Sequence, residues 1–345
     1  MRASRTNTLR LILALITAVC GAVCPSARAA DPVAIQFTLD RPIDAVAAPF
    51  VMARANGLFA AEELNVTMGA ANGAHEAIAR VSSGASDLAL VDINALIRQR
   101  DKEKADSPRA VFVLFNQAGY SIIARKSRGI QTLADLSGKG LGVVEGDPAA
   151  KFWPAIAKLN GIKPSTVKQS VISPAVREPM LSAGQVDAVT GSSFLSAINL
   201  KDHGVPADDL VLLKFSDYGS EAYGYAIIVN PAFAAAKAEA VKRFVRATIS
   251  GLQLAIKQPA GTIEQVVSQM NGGSRDLEME RLRVILRDNI LTAEVRRNGL
   301  GGIDTARFEK SIDQIADDFK FQKRPTATDV FDDSFLPPLN GRLIN

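Results

Sequence analysis

Beyond Asp31 the chain alternates short β-rich runs with stretches whose apolar residues recur at helical spacing. Ala34–Leu39 predicts a strand, and Pro49–Asn56 a helix that stops at Asn56-Gly57. A Gly just past the last turn supplies the left-handed conformation that ends a helix. Val66–Met68 predicts the next strand, Ala74–Ser83 a helix ending at Gly84, Leu88–Val91 a strand, Ile93–Arg100 a helix and Ala110–Phe115 a strand. The order then recurs. Leu141–Val144 predicts a strand, Asp147-Pro148 opens a helix that ends at Asn160-Gly161, Val176–Ala183 is helical up to Gly184, and Ala188–Thr190 is a strand. Pro is favoured at the first position of a helix, and Asp just before it. Strand and helix in alternation predict mostly parallel α/β sheets.

Two pairs of segments match. Ala53-Arg54-Ala55-Asn56-Gly57-Leu58 parallels Ala157-Lys158-Leu159-Asn160-Gly161-Ile162, at an offset of 104 residues. Ser83-Gly84-Ala85-Ser86-Asp87 parallels Ala183-Gly184-Gln185-Val186-Asp187, at an offset of 100. Two matches in the same order at nearly one offset favour a duplicated α/β lobe. Ser121–Ala124 and Tyr225–Val229 flank the second copy and are expected to pair as crossover strands. The lobes expected are 30–124 with 225–345, and 125–224. After Pro231 the pattern is helical over Ala232–Lys257, Gly261–Met270, Leu277–Asp288 and Asp304–Phe319, before an irregular tail at Phe331–Pro337.

Charge alters this picture less than its total suggests. The 40 Lys plus Arg exceed the 36 Asp plus Glu by four, and Arg2, Arg5, Arg10 and Arg28 all fall in the first 29 residues. Without those four the balance is 36 against 36, which gives no compositional case for nucleic acid or a lipid surface as partner. A composition of 47% hydrophobic and 22% charged residues excludes disorder, collagen and coiled coil, and the length suits two domains.

The first 29 residues read as an export signal: a basic start, an apolar run from Leu11 to about Val23, then Ala27-Arg28-Ala29 as the cleavage motif. The run is shorter than the ~20 residues of a membrane-spanning helix. Lipidation at Cys20 or Cys24 is the weaker alternative, because Val19 and Val23 stand where a small residue is expected. Both cysteines lie in this segment, so the mature chain has no thiol chemistry, disulfide or cysteine metal site. It is expected to be periplasmic, with no membrane insertion.

Catalytic constellations are missing. Gly191-Ser192-Ser193 runs on into Phe194-Leu195 rather than closing a nucleophile elbow, and Gly138-Lys139-Gly140-Leu141-Gly142 has neither phosphate-loop nor dinucleotide spacing. The two histidines, His75 and His203, are not in metal-binding spacing; His203 sits in a helix-ending context. No enzyme activity, metal or cofactor is expected. The inventory points to binding.

Several segments together resemble the SsuA/THI5-like (NMT1) family of solute-binding proteins of ABC importers. They are Ala53-Arg54-Ala55-Asn56-Gly57-Leu58-Phe59 with Glu62–Val66, Ser83–Asp87 through Asp92, and Leu133–Val143. They continue with Leu181–Ala188, Asp217-Tyr218-Gly219, Tyr223-Gly224-Tyr225 and Phe335-Leu336-Pro337. The resemblance implies a type II periplasmic-binding-protein fold, two α/β lobes joined by two crossover strands, with a helical C-terminal segment. It further implies a monomeric receptor that delivers a small molecule to an ABC permease with a cytoplasmic ATPase. Eukaryotic pyrimidine-synthesising relatives carry a cysteine-rich motif absent here, so an exported enzyme of that kind is a minor alternative, as is a sensory receptor on the same fold.

Ligands of open α/β sheets bind beyond the carboxyl ends of the strands. Those positions are Asp40, Arg41, Pro49, Gly73, His75, Asp92, Gln117 and Tyr120 in the first half, and Glu145, Asp147, Ser192, Ser193, Phe194, Asp217, Tyr218 and Tyr223 in the second. For each acid a local role competes: Asp147 as a helix cap, Asp92 or Asp217 as a loop anchor. Acids outnumber bases, which tilts the expectation toward a neutral or cationic ligand rich in N–H donors. A planar aminopyrimidine held between tyrosines and an acid fits best; a sulfonate such as taurine, or nitrate, on Arg41, Gln117 and the serines is the alternative. Trp153, between Phe152 and Ile156 at helical spacing, is expected in the core. Mass spectrometry of the exported chain is expected to find Ala30 at its N-terminus; retention of residues 1–29 would refute the export signal.

Overall fold

The computed structural model describes residues 31–100 and 107–344, so the export signal lies outside the described residues. The strands are β1 (Val33–Leu39), β2 (Leu64–Ala70), β3 (Leu88–Asp92), β4 (Arg109–Val113), β5 (Tyr120–Arg125), β6 (Gly140–Val144), β7 (Lys168–Ile172), β8 (Ala188–Ser192), β9 (Leu210–Lys214) and β10 (Tyr225–Val229). They form two five-stranded sheets in the orders β2-β1-β3-β10-β4 and β7-β6-β8-β5-β9. Each sheet has three parallel strands, β2-β1-β3 or β7-β6-β8, and a fourth that runs antiparallel to both neighbours. The sheets with their flanking helices are the two lobes. Edge strand β7 and the half-buried β9 lack a clean apolar alternation and escape the sequence pattern.

The duplication is visible in the backbone. Gly57 and Gly161 both have φ +67°, and Gly84 and Gly184 have φ +78° and +71°, so the matched segments end their helices in the same left-handed conformation. The two expected crossover strands do not pair with each other: each is built into the interior of a different sheet. β5 is central in the second sheet and β10 in the first. The chain therefore crosses at 114–119, upstream of the boundary expected at residue 125, and returns at 219–224. These crossing segments bond to each other, Gly224 N to Phe115 O at 2.9 Å and Ala118 N to Ala222 O at 3.1 Å, and Leu114 N donates to Tyr225 O at the start of β10 at 2.8 Å.

On one face of the first sheet, Phe37 of β1 packs on Phe50 of helix Ala48–Ala55 (ring centroids 4.7 Å) and on Phe244 of helix Ala238–Lys257 (5.1 Å). A second apolar cluster runs from the other face into the second lobe and includes Trp153, buried as expected. The predicted helix Ala232–Lys257 is two helices, Pro231–Ala236 and Ala238–Lys257. Asn230 caps the first and is held by Asp87 O and Val81 O, which fixes its direction; the break at Lys237 then frees the second to lie along Ala48–Ala55. Helix Arg275–Val284 runs into a π-helical turn, Ile285–Ile290.

Where Ala48–Ala55 meets the long helix, Gly251 is essential: a Cβ there would stand 2.1 Å from Pro49 O and 3.0 Å from the Ala53 Cβ. The clash with backbone outweighs the ~1 kcal/mol that Ala gains over Gly inside a helix. Gly251→Ala is expected to destabilise the fold by about 2 kcal/mol in urea unfolding, and an unchanged midpoint would refute this packing.

Candidate functional site

The carboxyl ends of the parallel strands of both sheets converge on one cleft. Its wider part, about 850 Å³, is lined by Asp40, Arg41, Gly73, His75, Asp92, Asn94, Arg98, Glu145, Lys151, Tyr225, Asp318 and Phe319, among others. A narrower part, about 260 Å³, shares Arg41, Asp92, Glu145 and Tyr225 and adds Phe115, Tyr120, Asp147, Arg177, Ser192, Phe194 and Leu195. Pro148 and Pro174 line both.

Arg41 follows the last residue of β1. Its Nε donates to Asp40 Oδ1 at 3.1 Å, its Nη1 lies 3.9 Å from Asp44 Oδ2, and its guanidinium sits 4.8 Å from the centre of the Tyr225 ring. Asp44 is itself held as the cap of a short 3₁₀ turn, accepting from Val46 N at 2.9 Å. Burial raises the carboxyl of Asp40 to about 6, with Arg41 only partly offsetting it.

At the end of β3, Asp92 is 4% exposed. It accepts hydrogen bonds from the Tyr120 hydroxyl, from Asn94 N at 2.8 Å and from Asn94 Nδ2 at 3.1 Å. Burial nevertheless raises Asp92, and it raises Tyr120 well above the usual phenol value. Asn94 Nδ2 also donates to Tyr223 O at 2.6 Å, which fixes the amide orientation and leaves Oδ1 buried without a partner.

Across the cleft, Asp147 caps helix Pro148–Leu159, accepting from Ala149 N at 3.0 Å. Its Oδ2 lies 3.9 Å from Arg177 Nη1, and burial, the dominant effect, raises its carboxyl. The remaining cleft arginines are also paired: Arg177 with Glu178 at 2.9 Å and Arg98 with Asp318 at 3.4 Å. Glu145, Lys151 and His75 are exposed and carry no side-chain hydrogen bond or ion pair within the described residues. No group of three or more His, Cys, Asp or Glu in metal-holding array occurs among the described residues, and no helix there is long and apolar enough to cross a membrane.

Of the residues expected at the site, Asp40, Arg41, Gly73, His75, Asp92, Tyr120, Glu145, Asp147, Ser192 and Phe194 line the cleft. The others lie elsewhere. Pro49 is buried in the first turn of its helix, its carbonyl against Gly251. Tyr223 is buried beneath Arg307, 4.1 Å from its ring centre, and its hydroxyl donates to Glu294 Oε1 at 2.7 Å. Tyr218 packs at the edge of the second core, its carbonyl accepting from Asn160. Gln117, Ser193 and Asp217 line a separate pocket at the crossing segments. The sequence did not flag Arg98, Lys151 and Arg177, which sit within helices rather than at strand ends, nor Asn94, Tyr225 and the C-terminal pair Asp318 and Phe319.

Comparison with known proteins places these features among relatives. The family model described as NMT1/THI5 like matches residues 44–262. The riboflavin-binding protein RibY of Chloroflexus aurantiacus is 24% identical over 320 residues, covering 87% of this chain and 88% of that one. Among solved structures, the periplasmic aliphatic sulphonate binding protein SsuA from Escherichia coli superposes with a TM-score of 0.67 at 14% identity, over 82% of this chain and 86% of that one. The periplasmic nitrate-binding protein NrtA from Synechocystis PCC 6803 gives a TM-score of 0.62 at 11% identity, over 88% and 87%. At these identities the two structures establish the periplasmic-binding-protein fold.

The Asp40 carboxyl makes stability depend on pH. A carboxyl raised in the folded state contributes stability that is fully present below its unfolded value of 3.8 and is lost as pH rises through about 6. The unliganded chain is expected to lose on the order of 3 kcal/mol from this group between about pH 4 and pH 7. Urea unfolding across that window should show a shallower pH slope in Asp40→Asn; identical slopes would refute the assignment.

Proposed function

The chain belongs to the NMT1/THI5-like family, and on that premise we propose that it is a periplasmic receptor of an ABC importer whose two lobes close over a planar, nitrogen-rich ligand of the pyrimidine or flavin class. One observation carries the ligand class: each arginine of the cleft already faces a carboxylate, Arg41 with Asp40, Arg98 with Asp318 and Arg177 with Glu178. A small oxyanion is best held by an unpaired arginine fork or by the free N–H groups of a helix N-terminus. Here each guanidinium has its charge offset by a neighbouring carboxylate, and Asp147 occupies the N-terminus of Pro148–Leu159. What remains is a wall of Tyr225, Pro148, Pro174 and Phe152 beside acceptors at Asn94 and Asp147, with the exposed Lys151, His75 and Glu145 at the rim. That combination suits a flat ring edged with N–H donors. That the Chloroflexus relative is a riboflavin-binding protein supports this class.

In this reading the receptor works by hinge bending. A ligand shifts the lobes only by binding the closed arrangement more tightly than the open one. Contacts from both sides of the cleft, Arg41 and Tyr225 on one and Glu145 and Asp147 on the other, supply that difference.

Calorimetry of the mature chain against riboflavin, an aminopyrimidine, taurine, nitrate and an aromatic carboxylate tests the proposal. Binding of one of the first two is expected, weakened about tenfold by Tyr225→Leu through loss of ring stacking. Binding of taurine or nitrate with no heterocycle signal would overturn the ligand class. Product formation abolished by His75→Ala, on the rim of the cleft, would overturn the receptor reading in favour of an enzyme.

A further inference from the structure

Behind the crossing segments lies a second pocket, about 200 Å³, that shares only Gly119 and Tyr120 with the cleft. Its walls come from both lobes and the hinge: Gln117 from the first crossing segment, Ser193, Lys214 and Asp217 from the second lobe, and Asp288 and Asn289 from the π-helical turn. π-helical turns are rare and are found disproportionately at functional sites.

Two of these side chains are almost wholly buried yet unsatisfied. Ser193 is 2% exposed and Asn289 1%, and neither Ser193 Oγ nor Asn289 Oδ1 has a hydrogen-bond partner. The Asn289 amide cannot be turned to relieve this, because its Nδ2 donates to Gln117 O at 3.0 Å. Reversal would set carbonyl against carbonyl. An unmet buried acceptor costs roughly 1–3 kcal/mol, and both residues line the pocket.

The charges here cancel. Arg287 holds Asp288 bidentately at 2.6 and 2.9 Å, Lys214 lies 3.8 Å from Asp288, and Asp217 adds the second acid. Neither an anion nor a cation gains from entering. A hydroxyl donates and accepts at once, which suits an amide acceptor, a serine hydroxyl and a lysine ammonium around one space. Water has the same chemistry, but at roughly 30 Å³ per molecule the space admits a chain of linked hydroxyls in place of several waters.

We propose that this hinge pocket is a second binding site, for a small neutral polyol, and that its occupancy is coupled to lobe closure. Coupling follows from its walls: an occupant touching both lobes fits one lobe arrangement better than the other and shifts the equilibrium by that difference.

Xylitol titrated into the isotope-labelled mature chain, with no cleft ligand present, tests the site by NMR. Saturable shifts are expected at the Asn289 and Gln117 side-chain amides and at the Ser193 amide. The double variant Ser193→Ala/Lys214→Met should weaken binding at least about fivefold, while Tyr225→Leu in the cleft leaves it unchanged. Shifts that grow linearly without saturating, that persist undiminished in the double variant, or that map to the cleft would overturn the proposal. Because no cleft ligand is used, this outcome is independent of whether the receptor reading stands.

Discussion

The hydrogen bond from Tyr120 to Asp92 joins the two halves of the molecule. Asp92 is the last residue of β3 in the first sheet, and Tyr120 the first of β5 in the second. Both are buried at the base of the cleft. A charge-assisted bond of this kind contributes roughly 1.5–3 kcal/mol, and stranding either partner costs its full desolvation. Asn94 donates its backbone N–H to Asp92 and its side-chain amide to the Tyr120 hydroxyl and to Tyr223 O, so one residue ties the end of β3 to the start of β5 and to the returning segment. From the other side Arg307 donates to Asn116 O at 2.9 Å and to Glu221 O at 3.2 Å, clamping the crossing segments to the C-terminal helix Thr305–Ile315.

The rims are held differently. Lys158 pairs with Asp317 on one side, and Lys201 with Glu280 on the other, where Arg281 also donates to Asn199 Oδ1 at 2.6 Å. Exposed pairs of this type contribute about 0–1 kcal/mol each. The contacts between the lobes are therefore strong at the base of the cleft and weak at its rims. Pre-pairing of the cleft arginines fits the same logic. Charges already neutralised within each lobe make little demand for closure by themselves, so closure waits for a ligand that bridges the gap.

The strand ends were legible in the sequence, because an apolar run followed by a helix start locates the loop that faces the cleft. Asp40, Asp92 and Asp147 follow from that rule. Side-chain direction did not follow. Tyr223 and Tyr225 are two residues apart at the start of β10, and the sequence offers no reason to choose Tyr225, whose ring meets Arg41, over Tyr223, which turns into the hinge beneath Arg307. Arg98, Lys151 and Arg177 lie inside helices, where a polar residue reads as ordinary surface until the facing lobe is in place. Asp318 reaches the cleft only because the chain returns to the first lobe, a long-range event with no local signature.

The strand orders explain why a duplicated lobe yields a hinge. In each sheet the fourth strand is antiparallel, β10 in the first and β5 in the second; β5 is continuous in sequence with the rest of its sheet, whereas β10 joins the first sheet only after the whole second sheet has been made. Inserting a returning strand between the third strand and the edge strand obliges the chain to pass between the lobes twice. A single connection permits swivelling about its own axis. Two connections bonded to each other at Phe115–Gly224 and Ala118–Ala222 suppress that swivel and leave bending about one line. The return of β10 that completes the first sheet is therefore also what joins the two sheets by a double, cross-bonded connection.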